Sequence, residues 1–143
     1  MRLSVIRLSQ MHQWTCSTKV KVLFLMDIHT KILRQAKRSV VISATKLWFA
    51  KHSFVLDILK DLLARGIEVI TITKSNMKKG KQLKGIGASI RVNDSLAIDV
   101  AIIDKSLIWY GSINYLGYNT DENNAIRIYD SALAENVLEV LYT

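Results

Sequence analysis

The apolar positions of this chain change period several times, and each change marks an element. From Val22 to Lys37, apolar residues recur at Leu25, Ile28, Ile32, Leu33 and Ala36, the spacing of one helix face. Lys37 and Arg38 close that helix with cations where its dipole favours them. Ser39 to Ala44 (SVVISA) reads as a short buried strand. Ser53 is placed to cap a second helix, whose apolar side is Val55, Ile58, Leu59, Leu62 and Leu63, and Gly66 follows Arg65 at its C-cap. Ile67 to Thr73 (IEVITIT) is β-branched and partly alternating, hence a second strand. Lys74 to Lys84 is polar and basic, a loop with a short helix, and Gly85 to Arg91 leads into a third strand. Ile98 to Ile103 and Leu107 to Tyr110 predict two strands around a tight Asp104-Lys105-Ser106 turn. Asn119 to Asn124 reads as a polar loop, Ala125 to Tyr129 as a further strand and Ser131 to Leu141 as a closing helix. The order predicts an α/β fold, a mixed β-sheet flanked by helices. Residues 22–143 form the expected domain, and residues 1–21 fit the pattern least, as a strand or an arm.

Composition narrows the classes. With 143 residues, half of them hydrophobic, the chain is long enough for a core and too apolar for general disorder. Proline is absent, which has no physical account here. A single cysteine, Cys16, excludes an internal disulfide and points to a cytoplasmic protein. Residues 1–10 are interrupted by Arg2 and Arg7, unlike a signal peptide, and Val22 to Met26 is too short to span a bilayer, so no integral membrane contact is expected. A net charge of +8 favours anionic partners, nucleic acid first and an acidic membrane surface second. A solvated basic surface would give the same charge.

The candidate chemistry lies in one stretch. Ala97-Ile98-Asp99-Val100-Ala101-Ile102-Ile103-Asp104, followed by Trp109-Tyr110-Gly111-Ser112-Ile113-Asn114, resembles the phospholipase D superfamily signature. That signature is His-x-Lys, four residues, Asp, and then Gly-Ser-x-Asn. The upstream order is similar too: Ala36-Lys37-Arg38, the strand Val40 to Ser43, then Leu62-Leu63-Ala64-Arg65-Gly66-Ile67-Glu68-Val69. The resemblance covers roughly Val22 to Thr143 and is nearest to single-motif members found alone or as modules of bacterial nucleases and helicase-like proteins. It implies a phospholipase D-like half-domain whose active site is completed by a second half, so that a homodimer or a second phospholipase D-like domain is the expected partner.

The same resemblance shows what this sequence lacks. Residues two apart on a strand share a face, so His-x-Lys sets a nucleophile beside a cation. Here those places hold Ala97 and Asp99. A methyl group neither attacks phosphorus nor carries a proton. A carboxylate about 4 Å from a phosphate oxygen costs on the order of a few kcal/mol at an effective dielectric near 20. His12, His29 and His52 are the only histidines and none is near the motif. No metal-ligand spacing and no glycine-rich phosphate loop is present, so no metal or other cofactor is expected. The resemblance gives Asp104 the role of orienting a histidine; read alone, it is a turn residue. Ser112 and Asn114 correspond to phosphate-pocket residues, and holding the turn after the strand is an equal reading. Glu122 and Asn123 both fit the place of an acidic residue that follows. Trp109 and Tyr110 read as core and strand residues.

Three functions follow. The first is a catalytically impaired domain that binds DNA, RNA or another phosphate polyanion through Lys74, Lys78, Lys79, Lys81 and Lys84. The second is an active phosphodiesterase or nuclease whose missing groups come from elsewhere. The third is a structural half of a larger phospholipase D-like assembly. A decayed domain without present function stands beside them.

Overall fold

A computed structural model describes residues 2–7, 33–49, 53–75, 80–117 and 124–143. Among the described residues ten elements follow one another: β1 (Arg2–Arg7), β2 (Ser39–Ser43), α1 (Phe54–Ala64), β3 (Glu68–Thr73), α2 (Gly80–Gly85), β4 (Ser89–Val92), β5 (Val100–Ile103), β6 (Leu107–Gly111), β7 (Asn124–Tyr129) and α3 (Ser131–Tyr142). The seven strands form one sheet in the order β1-β7-β6-β5-β2-β3-β4. β2 runs parallel to β3 and β3 to β4, while β5, β6, β7 and β1 add antiparallel neighbours. The mixed α/β sheet expected from the sequence is therefore present. Of the first expected helix, Leu33 and Ala36 are buried as its spacing requires, and residues 22–32 lie outside the described residues.

β2 sits where the parallel and antiparallel parts meet, and all five of its residues are buried. This is why SVVIS reads as a continuous run: both faces of the strand are covered. Val40 and Ile42 face a core completed by Ile58, Leu59 and Leu62 of α1 and by Leu33 and Ala36. Val41 faces the opposite core with Ile70, Ile72, Val100 and Ile102, closed by Ala134, Leu138 and Leu141 of α3. Trp109, 6% exposed, joins the first core, whereas its neighbour Tyr110 remains 43% exposed on the other face.

The two crossovers between parallel strands end alike. After α1, Ile67 N–H donates to Leu62 and Gly66 N–H to Leu63; after α2, Ala88 N–H donates to Leu83 and Gly87 N–H to Lys84. Both are Schellman caps, with Gly66 at φ 78° and Gly87 at φ 92° in the left-handed position the motif requires. At the helix starts, Ser53 Oγ accepts from Leu56 N–H and Asp130 from Leu133 N–H. A Cβ at Gly66 or Gly87 would meet nothing within 4 Å, so the cost of adding one is purely conformational. Gly66→Ala and Gly87→Ala are each expected to lower unfolding stability by about 1 kcal/mol, with an unchanged denaturant slope in urea titration.

Candidate functional site

The register around β5 decides which motif residues meet. Val100 pairs with Ser43 of β2 and with Tyr110 of β6. Hence Ala97–Asp99, Ala44–Lys46 and Ser112–Asn114 gather at one edge of the sheet. Ser43 fastens this edge from inside: its buried hydroxyl donates to the Ile98 carbonyl at 2.8 Å and accepts from Val100 N–H at 3.1 Å. Ala97 and Ser112 are exposed, and Asp99 and Asn114 are half-buried.

At this edge Asp99 turns toward the backbone that follows β2. Its carboxylate accepts from Thr45 N–H at 2.7 Å and from Thr45 Oγ1 at 3.1 and 3.2 Å. Asn114 holds the same loop. Its Nδ2 donates to the Lys46 carbonyl at 2.6 Å and its Oδ1 accepts from Leu116 N–H at 2.9 Å. Leu116 in turn accepts from Trp48 N–H at 3.0 Å, so segments 45–48 and 114–116 are laced together. Gly117 lies so near the Asn114 amide that an added Cβ would fall 2.8 Å from its Cγ. The Gly-Ser-x-Asn run thus extends to a glycine three residues on, for a packing reason.

Asp104 is placed elsewhere. The four residues of β5 put it at the far end of the strand, about 16 Å of extended chain from Asp99. There its carboxylate accepts from the N–H groups of Lys37, Arg38 and Ser39 at 2.8 to 3.1 Å. Such a run of consecutive N–H groups forms an anion-binding nest. Partial burial works to raise its pKa, but the three backbone donors and the Arg38 charge outweigh burial and hold the pKa below the ordinary carboxylate value. Asp104 and Lys105 adopt φ 53° and 55°, so the turn between β5 and β6 has the positive-φ sense of tight hairpins.

Lys74 lies just after β3 and is half-buried; Lys81 and Lys84 are exposed on α2, which Leu83 pins into the core. Lys78 and Lys79 lie outside the described residues, as do Glu122, Asn123, His12, His29, His52 and Cys16. Lys46 and Trp48, the latter 51% exposed, stand in the loop that the motif edge holds. Neither carried a signal in the sequence, because the pairing that brings them to the motif spans more than fifty residues. Among the described residues, no group of three or more His, Cys, Asp or Glu could hold a metal ion, and no helix is long and apolar enough to cross a membrane.

Because Asp104 titrates lower in the folded chain than in the unfolded one, its contribution to stability is complete above about pH 4 and fades as the pH falls further. Asp104→Asn should lower stability at pH 7 by about 1 kcal/mol, allowing for solvent screening of a half-exposed group. In urea titrations repeated down to pH 3, the gap between the two proteins should close.

No protein-family model matches the sequence, and no curated protein matches it either. Solved structures do. Nuc of Salmonella typhimurium, a phospholipase D family member, aligns over 98% of this chain and 91% of its own with a TM-score of 0.68 at 19% identity. NucT of Helicobacter pylori aligns over 98% and 92% with a TM-score of 0.70 at 17% identity. TrmBL2, an archaeal chromatin protein, aligns over 99% of this chain and 51% of its own, with a TM-score of 0.60 at 13% identity. Together with the sheet order and the edge at which the motif residues gather, these likenesses establish that the chain has the phospholipase D-like fold.

Proposed function

We propose that this domain binds a phosphate polyanion, nucleic acid in the first place, without cleaving it. The observation that carries this reading is the Asp99–Thr45 contact. Where the resemblance implies a phosphate-holding lysine, this chain has a carboxylate already engaged with its own backbone. Two residues earlier, Ala97 supplies no nucleophile. Asn114 likewise spends its carbonyl and one amide hydrogen on the main chain. The edge thus serves as architecture, and a negative charge within it disfavours a phosphate at that spot.

Cationic surface remains available elsewhere. Lys81 and Lys84 are exposed beside Lys74, Lys78 and Lys79 in the sequence, and the whole chain carries +8. Exposed Trp48 next to exposed Lys46 adds an aromatic plane beside a cation, a pairing suited to unstacked bases. That TrmBL2 shows a novel mode of DNA binding is in keeping with a polyanion role for this fold. The cytoplasm is the compartment in which such a chain, with its single cysteine, would meet nucleic acid. Pairing with a second copy or with another phospholipase D-like domain belongs to the same proposal, because the site implied by the resemblance lies between two halves.

Two outcomes are expected. First, purified protein should show no turnover of bis-p-nitrophenyl phosphate or of single- or double-stranded DNA; activity that scales with protein and survives repurification would overturn the reading. Second, binding to a random duplex should weaken with salt at a log–log slope near −3.6 if about four lysines touch phosphates. Lys78→Gln/Lys79→Gln/Lys81→Gln should reduce both the affinity and the slope in fluorescence anisotropy. Unchanged binding in that variant would remove the lysine stretch from the site.

A further inference from the structure

The crossovers between the parallel strands bring cations to one end of the sheet. α1 packs through Ile58, Leu59 and Leu62, and α2 through Leu83, into the same core, so both helices lie on one face. Because β2, β3 and β4 are parallel, each helix runs back from the end of one strand to the start of the next. Their C-termini therefore meet the end at which these three strands begin. Arg65 follows α1 there, Lys84 stands in the last turn of α2, and Arg34, Lys37 and Arg38 lead into β2 at the same end. All five are exposed. The starts of three adjacent strands span two strand spacings, about 10 Å, so these residues come to stand in a row. Of the lysines singled out in the sequence, Lys84 belongs to this row, whereas Lys74 follows β3 at the opposite end of the sheet.

Two contacts tie the row together. Arg65 Nη2 donates to the Ala36 carbonyl at 3.3 Å, and Glu68 N–H donates to the Arg38 carbonyl at 3.0 Å. The carboxylates nearby leave the cations unpaired. Asp104 is taken up by the N–H groups of Lys37, Arg38 and Ser39. Glu68 lines the cleft on the α3 face, away from the face on which α1 and α2 pack, and Asp61 lies one helical turn before Arg65. Among the described residues, none of the five cations takes part in a salt bridge. Unneutralised cations brought together from three separate segments raise the local potential and favour an extended anion over a single one.

We propose that this row, from Arg34 through Lys37, Arg38 and Arg65 to Lys84, holds the sugar-phosphate backbone of double-stranded nucleic acid. The inference rests on the polyanion reading and names the surface that serves it. A row of about 10 Å faces about three successive phosphates of one strand, which rise about 3.4 Å each. It contains no aromatic side chain on which an unstacked base could lie, and no helix inserts from it into a groove. Contacts of this kind position a duplex without reading its sequence.

Fluorescence anisotropy with a random duplex, measured over a salt series on the full chain, tests this. Arg38→Gln/Arg65→Gln/Lys84→Gln should weaken binding at least tenfold and make the log–log salt slope shallower by about 2.7, three contacts at 0.9 each. Arg91→Gln/Lys105→Gln/Arg127→Gln removes the same charge at exposed positions outside the row and should change affinity less than twofold. Arg38→Lys/Arg65→Lys keeps the charge and should keep the slope. Cations at helix C-termini also serve the helix dipole; in that role alone, their removal would lower the urea midpoint and leave binding unchanged. Lys84→Gln and Arg38→Gln singly, whose side chains hold no other segment, should each reduce the slope by about 0.9 in folded protein. Duplex binding that is indifferent to the row variants, or that falls equally in the control, overturns this inference and leaves the polyanion reading standing. Absence of duplex binding by the parent chain overturns both.

Discussion

The pairing of β2 with β5 is held by a carboxylate at each end. Asp104 takes the three N–H groups that lead into β2, and Asp99 takes the N–H of Thr45 that leads out of it. Between them, Ser43 ties its hydroxyl to the backbone on either side of Asp99. Four residue pairs alone would make a short ladder. With both ends fixed by charge-assisted bonds, the strand joining the parallel and antiparallel parts cannot slip by one residue without losing all of them. Two cores, one on each face, depend on that register.

The same clamp gives a carboxylate a structural use at position 99, where the resemblance implies a lysine. A lysine at position 99 would have no acceptor in Thr45 N–H, whereas a carboxylate there completes a turn. The loop from Thr45 to Trp48 is then held from both sides, by Asp99 and by Asn114. The residues at the places that the resemblance assigns to phosphate handling here fix a strand end.

Much of the fold was legible in the sequence because burial and caps leave local marks. The run Val40 to Ile42 is apolar without alternation since both of its faces are covered, and Ser53 and Gly66 sit where helix ends need them. Gly87 repeats the Gly66 solution, but within Gly85-Ile86-Gly87 the sequence leaves open which glycine carries the positive φ. The partners of Asp99 and Asp104 were not legible at all. Each lies more than fifty residues away, and only the register brings them together. The placement of Asp104 shows the limit most clearly: five residues along a strand are neighbours in sequence and occupy opposite ends of the sheet.

The edge strand β1 has a consequence for how the chain is assembled. Arg7 pairs with Asn124, and Arg2 with Tyr129, so this ladder joins segments more than a hundred residues apart. During translation β1 leaves the ribosome long before its partner exists, and every other strand of the sheet is already available when β7 arrives. β1 can therefore take its place in the sheet only after β7 has been made. In a crowded polysome, the β7 edge of one nascent chain is open to the β1 segment of another until its own strand closes it.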